Sequence, residues 1–252
     1  MKYTVDDLEI IDTTDGCVLC NENEKEIFIL IPRATAILAK EKDIKKHLHL
    51  MKILMKEDGI SRGVDTKGVA KKEVAIGLKP NRCGHGYVNS SLKRTHPLVW
   101  KTVCKYARQT EYVSKEFIKE GLLVGLNKAK ETIGWSSLES AQIFSALSVS
   151  CNYYSPAHVD QDFFFSAFQV IVDTDDVSYN KYCPIVQYFC FPTCGFAVAV
   201  RNGDMLLFNP SIFHCLSHKE KSFEGTDVFV NSFYLKSQVV GLHDNSIPFN
   251  HK

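Results

Sequence analysis

From Ile143 onward the sequence is a succession of short segments dense in aromatic and β-branched residues, cut by polar turns, with no stretch of helical period among them. The segments are IFSALSVSCNY, FFFSAFQVIVD, PIVQYFCF, GFAVAV, DMLLF, SIFHCLS and DVFVNSFYL. Such residues suit a pleated, half-buried surface, and many short strands separated by turns predict a sandwich or jelly roll. Asn202-Gly203, between GFAVAVR and DMLLFN, reads as a two-residue hairpin turn with both positions at positive φ. TDDVSYNKY reads as a polar loop between two other strands.

The first half of the chain is patterned differently. Residues 8–36 read as a short antiparallel unit, with CVLC, the polar turn NENEK and the apolar strand IFILIP. From Ala34 to Glu57, Ile44, Leu48, Met51, Ile53 and Leu54 recur near the helical period with lysines between them. Residues 97–132 predict one or two amphipathic helices whose apolar face includes Trp100, Val103, Tyr106, Val113, Phe117 and Leu122. Between these helices, the glycine-rich basic stretch 61–91 reads as a long irregular segment, either a loop closing around phosphate or a solvated connector. It matches neither a Walker A motif nor a dinucleotide fingerprint. The expected class is therefore α+β: residues 1–142 supply a hairpin, the basic loop and buttressing helices, and residues 143–252 a jelly-roll core, together one compact unit.

Composition narrows the classes. At 252 residues and 45% hydrophobic, the chain has enough apolar material for a sizeable core. No run of about 18 apolar residues and no signal-peptide pattern is present, so the sequence reads as intracellular, cytoplasmic or nuclear, with no membrane partner. Nine cysteines without a repeating spacing fit reduced thiols. Cys17 and Cys20 form a C-x-x-C, but on a strand they face opposite sides and no second pair completes a zinc site, so they read as two small half-buried residues. Cys83 and His85 likewise lack a paired ligand motif. The net charge of +1 conceals a basic block: residues 40–108 carry 17 Lys+Arg against 6 Asp+Glu. That block suits a polyanionic partner such as DNA or RNA.

The residues with the clearest chemistry are His158, Asp160 and His214. On one strand His158 and Asp160 would share a face, with Cα atoms about 6 to 7 Å apart. His214 follows 56 positions later, through GDMLLFNPSIFHC. Two imidazoles and one carboxylate on one side of a divalent iron leave the other positions open for dioxygen and a co-substrate. His218 competes with His214 as the distal ligand. Strand alternation puts both on one face, and the distance from GDMLLFNPSIF favours His214. Asp162 shares the face of His158 and Asp160, where it either orients a ligand or touches substrate, or is a solvated acid at a strand end.

The order H-V-D, hairpin strands, G-D-x-L-L-F-x-P, distal histidine and a further strand resembles the double-stranded β-helix of the iron(II) and 2-oxoglutarate-dependent oxygenases, over about residues 143–240. Within that superfamily, HCLSHKEKSFEGTDVFVNSFYLKSQVVGLHDN is similar to the branch of TET and base-J-binding-protein oxidases, including algal members. The resemblance implies Fe(II) on His158, Asp160 and His214, molecular oxygen as a reactant, and 2-oxoglutarate held by a cation on the strand after the distal histidine. VFVNSFYLK has no arginine there: Ser232, Tyr234 and Lys236 share a face, with Arg201 as an alternative cation. The departure leaves ascorbate or another reductant open. Tyr153, Tyr154, Phe164 and Phe168 either wall a pocket for a flat substrate or belong to the core. The expected activity is oxidation of a C–H bond, in a nucleobase of DNA or RNA. The alternatives are a protein or metabolite substrate, and a jelly roll that binds nucleic acid without catalysis.

Overall fold

Each strand expected after Ile143 forms, and alternation along the strands sorts their side chains into two apolar layers. The structure, a computed structural model, describes residues 5–20, 26–34, 41–56, 73–77, 79–80, 87–88, 92–117, 143–162, 165–174 and 183–235. The first half contributes β1 (Glu9–Ile11), β2 (Cys17–Cys20), β3 (Glu26–Ile31), helix α1 (Glu41–Lys56), β4 (Glu73–Gly77), β5 (Lys79–Pro80), β6 (Tyr87–Val88), α2 (Leu92–Thr95) and α3 (Pro97–Phe117). The second half contributes β7 (Ala146–Cys151), β8 (Ser155–His158), β9 (Ser166–Val172), β10 (Ile185–Phe191), β11 (Phe196–Arg201), β12 (Met205–Phe208), β13 (His214–Leu216) and β14 (Val228–Tyr234).

These strands make a five-stranded sheet in the order β1-β11-β10-β13-β8, facing a seven-stranded sheet in the order β2-β3-β12-β9-β14-β7-β4. All pairings are antiparallel except β1 with β11. This is the jelly-roll core of an α+β fold. Both faces of the larger sheet are covered. Phe28, Leu30, Phe168, Val170, Leu206, Val228 and Val230 meet Val186, Phe189, Phe191, Val198 and Val200 of the smaller sheet. On the opposite face, Val74, Ile76, Leu147, Val149, Ile171, Phe229 and Phe233 meet Leu48, Met51 and Leu54 of α1 and Trp100, Val103 and Tyr106 of α3. Each large side chain buried in this way contributes about 1.5–3 kcal/mol. Buried polar groups tie the helices down: the Tyr106 hydroxyl donates to Gln169 of β9, Asn231 of β14 donates to the Tyr106 hydroxyl at 3.4 Å, and Glu111 accepts from the backbone N–H groups of Ile143 and Phe144.

Three sequence expectations change here. Asn202-Gly203 is not a hairpin turn, because β11 and β12 belong to different sheets. Only Gly203 has positive φ, +84°, and the Asp204 N–H donates to the Arg201 carbonyl at 3.1 Å, the pattern of a type II turn, which splays the flanking strands instead of pairing them. The basic stretch 61–91 is not uniformly irregular: β4 lies within it and pairs antiparallel with β7 at the sheet edge. Val74 and Ile76 supply the apolar face that holds it there. Phe117, placed on the apolar face of its helix, is 44% exposed at the last residue of α3. The remainder of the 97–132 expectation, including Leu122, the TDDVSYNKY loop from residue 175 to 182, and Cys83 and His85 lie outside the described residues. Among the described residues, no helix is long and apolar enough to cross a membrane.

Candidate metal centre

β8 and β13 are neighbours in the smaller sheet, and their register sets His158 directly opposite His214. His158 is the last residue of β8, so the expectation that His158 and Asp160 ride one strand is corrected: the chain leaves the strand after His158. Asp160 is held instead by its N–H, which donates to the Pro210 carbonyl at 2.9 Å, on the approach to β13. The turn brings its carboxylate back toward both imidazoles. Asp160 Oδ2 is 3.8 Å from His158 Nε2 and 3.5 Å from His214 Nε2. The three side chains each offer one ligand atom, all within 4.8 Å of one another.

The imidazoles are oriented for coordination by their other nitrogens. His158 Nδ1 lies 2.8 Å from the Pro156 carbonyl and His214 Nδ1 2.7 Å from the Ile212 carbonyl. A carbonyl only accepts, so each Nδ1 carries a proton, which leaves Nε2, the nitrogen nearer Asp160, as the atom that can ligate a metal. His214 is further fixed by aromatic packing, with Phe189 stacked at 5.5 Å and 12° and Phe208 edge-on at 4.9 Å. The side chain of His214 is 4% exposed, whereas those of His158 and Asp160 are 38% and 35% exposed. Ligand atoms about 2.1 Å from a divalent ion at right angles sit roughly 3 Å apart, so an ion would draw this set together. Two imidazoles and a carboxylate are a donor set that would hold a ferrous ion beside the cavity.

That cavity, about 170 Å³, lies between the sheets. From the smaller sheet and its flanks it receives the triad with Tyr153, Ser155, Phe189 and Leu216; from the larger sheet it receives Glu73, Ser148, Ser150, Phe168, Phe208, Val230, Ser232 and Tyr234. Asp162 and Ser166 also line it, and the Ser166 hydroxyl donates to Asp162 at 3.2 Å. Asp162 is buried, which removes the solvated-acid reading; it stands beside the triad and is not one of the three grouped ligands. Burial, reinforced by the carboxylates of Glu73 and Asp160, pushes the Tyr153 hydroxyl up to about 12, so it remains a proton-bearing donor in the cavity.

The remaining sequence candidates fall as follows. Ser232, Tyr234, Tyr153 and Phe168 line the cavity, and Phe168 is also core. His218 is exposed and stacks on Tyr154 with ring centroids 3.9 Å apart, apart from the triad. Arg201 is not among the lining residues: its guanidinium pairs with Asp12 at 2.5 Å and donates to the Cys183 carbonyl at 3.0 Å. Lys236 and Phe164 lie outside the described residues. The sequence reading missed Glu73, Ser148 and Ser150. The alternation of serine with Leu147 and Val149 in ALSVSC signalled a polar face on β7, and Glu73 was hidden by the loop-like composition around it. Among the described lining residues the charged side chains other than histidine are Glu73, Asp160 and Asp162; none is a lysine or arginine.

No protein-family model matches the sequence, and no curated protein matches it. Solved structures do match. NgTET1 in complex with 5mC DNA aligns with a TM-score of 0.59 at 13% identity, covering 92% of this chain and 80% of that one. The likeness is one of fold: this chain shares the fold of the NgTET1 structure. An oxidoreductase of the 2OG-Fe(II) oxygenase family from Burkholderia pseudomallei aligns with a TM-score of 0.48 at 10% identity, covering 82% of this chain and 84% of that one. A prolyl hydroxylase from Trichoplax adhaerens, in complex with a hypoxia inducible factor peptide, aligns with a TM-score of 0.48 at 9% identity, covering 86% and 87%.

Proposed function

We propose that this chain is a non-haem Fe(II)-dependent dioxygenase that oxidises a C–H bond, and that its substrate is a nucleobase in DNA or RNA. The observation that carries the reading is the pair of Nε2 atoms that converge on one Asp160 oxygen, at 3.8 and 3.5 Å, at the edge of a cavity inside this fold. A ferrous ion bound there supplies dioxygen activation. Inserting one oxygen atom into a C–H bond with O₂ takes two electrons from a co-substrate, 2-oxoglutarate or another reductant such as ascorbate, and the second oxygen atom leaves in water or in the oxidised co-substrate. The chain's own residues position and seclude. Pro156 and Ile212 carbonyls hold the imidazole tautomers, Phe189 and Phe208 clamp His214, and Tyr153 offers a hydroxyl donor beside the reacting space.

Nucleic acid as substrate is supported by the 5mC DNA in the NgTET1 structure and by the basic block. The part of the block on α1 and α3 lies behind the larger sheet, on the face away from the cavity. The part that leads to the cavity in sequence is the run containing Arg62, Lys67, Lys71 and Lys72, which is followed directly by the lining residue Glu73. Phosphate contacts from such a run are salt-dependent, and an enzyme acting on a base in duplex must also extrude it. The test is to incubate iron(II)-loaded protein with modified and unmodified DNA and RNA oligonucleotides under air, with each reductant, and to read base masses. A gain of one oxygen atom that disappears in His214→Ala supports the reading; unchanged bases in every combination contradict it.

A further inference from the structure

We infer that the cavity wall facing the triad receives the hydroxyl groups of a co-substrate and rejects a second carboxylate, so that the co-substrate is a hydroxyl-bearing molecule and not a dicarboxylic keto acid. The inference rests on the iron reading above and deepens it. A small co-substrate bound to an ion held by His158, Asp160 and His214 would occupy the cavity between the two sheets. What it meets there is Glu73, Ser148 and Ser150 from β4 and β7, and Val230, Ser232 and Tyr234 from β14. A carboxylate arriving at such a wall needs a cation to offset its desolvation and to bind it in a fork. Among the described lining residues there is none, and the strand after the distal histidine presents valine, serine and tyrosine to the cavity.

Glu73 is the second, positive part of the argument. Ser148 Oγ donates to Glu73 Oε1 at 2.5 Å, the one hydrogen bond that the carboxylate takes from a described residue. Ser148 fills one of the roughly four lone-pair sites at which an ionised carboxyl accepts, so the Glu73 carboxylate retains acceptor capacity for a ligand donor. A hydroxyl group satisfies that demand, whereas a carboxylate there is repelled by the same group in a partly water-excluded space, where like charges are screened less than in solution. At Glu73 the wall therefore selects for a donor.

The test uses anaerobic calorimetry on the full chain after one equivalent of iron(II) is shown to bind. The probes are 2-oxoglutarate, pyruvate, which keeps the chelating keto acid and lacks the far carboxylate, and ascorbate, which carries hydroxyls. The expected result is that pyruvate binds at least as tightly as 2-oxoglutarate and ascorbate binds tighter than either. Glu73→Gln, which keeps an acceptor for Ser148, is expected to tighten 2-oxoglutarate about tenfold while moving pyruvate less than about threefold, because only the first loses a charge repulsion. Binding of 2-oxoglutarate tenfold or more tighter than pyruvate, indifferent to Glu73→Gln, overturns the inference, and loss of that preference in Lys236→Ala would place the missing cation at Lys236. Absence of iron binding defeats the proposed function itself; iron binding with a dicarboxylate preference defeats this inference alone.

Discussion

Tyr106→Phe removes one oxygen atom from the junction between helix and sheet. The Tyr106 side chain is 1% exposed, its hydroxyl donates to Gln169 Oε1, and Asn231 Nδ2 donates to it at 3.4 Å. Gln169 and Asn231 are both fully buried, so no water replaces the lost partner. An unsatisfied buried amide costs about 1–3 kcal/mol, and the ring packing against Phe233 at 5.2 Å and His47 at 4.2 Å is retained. The variant is therefore expected to lose about 1–3 kcal/mol, or about 2–4 °C in Tm for each kcal/mol in a chain of this size. Urea unfolding followed by the fluorescence of buried Trp100 measures it. In a Gln169→Leu background the same substitution should cost at least about 1 kcal/mol less, since its partner is gone. A change below about 0.5 kcal/mol in the wild-type background, or full additivity with Gln169→Leu, would refute the assignment of this network.

Further outcomes follow from other parts of the structure. Burial raises the Asp204 carboxyl to about 6 from 3.8, against the lowering effect of N–H groups from Arg33 and Arg201. The folded state thus holds a proton that the unfolded chain releases, so this group's contribution is full below about pH 4 and is lost as pH rises through 6, about 3 kcal/mol in all, and Asp204→Asn should flatten that slope in urea midpoints. At Gly77, with φ +110°, an added Cβ would lie 2.4 Å from the Ser145 carbonyl oxygen, so Gly77→Ala should cost about 3 kcal/mol or more, read from the yield of folded protein and its Tm. His218→Ala should leave iron(II) affinity within about threefold of wild type, because the ring stacks on Tyr154 outside the triad; a large loss would reopen its claim as distal ligand.

What could be read from residues alone was what alternation and spacing encode. Strands such as SAFQVIV and VFVNSFY are legible because β-branched and aromatic residues recur with polar turns between them. Pairing is not legible: that β8 and β13 bring His158 and His214 face to face depends on sheet order, which no local pattern records. The Asn202-Gly203 dipeptide shows the limit, since it marks a turn but does not say whether one or two residues take positive φ. β4 was hidden because EVAIG is five residues long, follows two lysines and ends in glycine, and is a strand only by virtue of its neighbour β7 and the helices on Val74 and Ile76. Glu73 was hidden with it, and so was the acidic character of the cavity wall.

The central claim is that His158, Asp160 and His214 form one ferrous site. Anaerobic equilibrium dialysis against iron(II), with the metal quantified per chain, tests it most directly. The account predicts one ion per chain, and a loss of at least a hundredfold in affinity in Asp160→Ala and in His214→Ala while circular dichroism and Tm remain near wild type. Stoichiometric binding that survives both substitutions, or no binding by a folded wild-type chain, would contradict it.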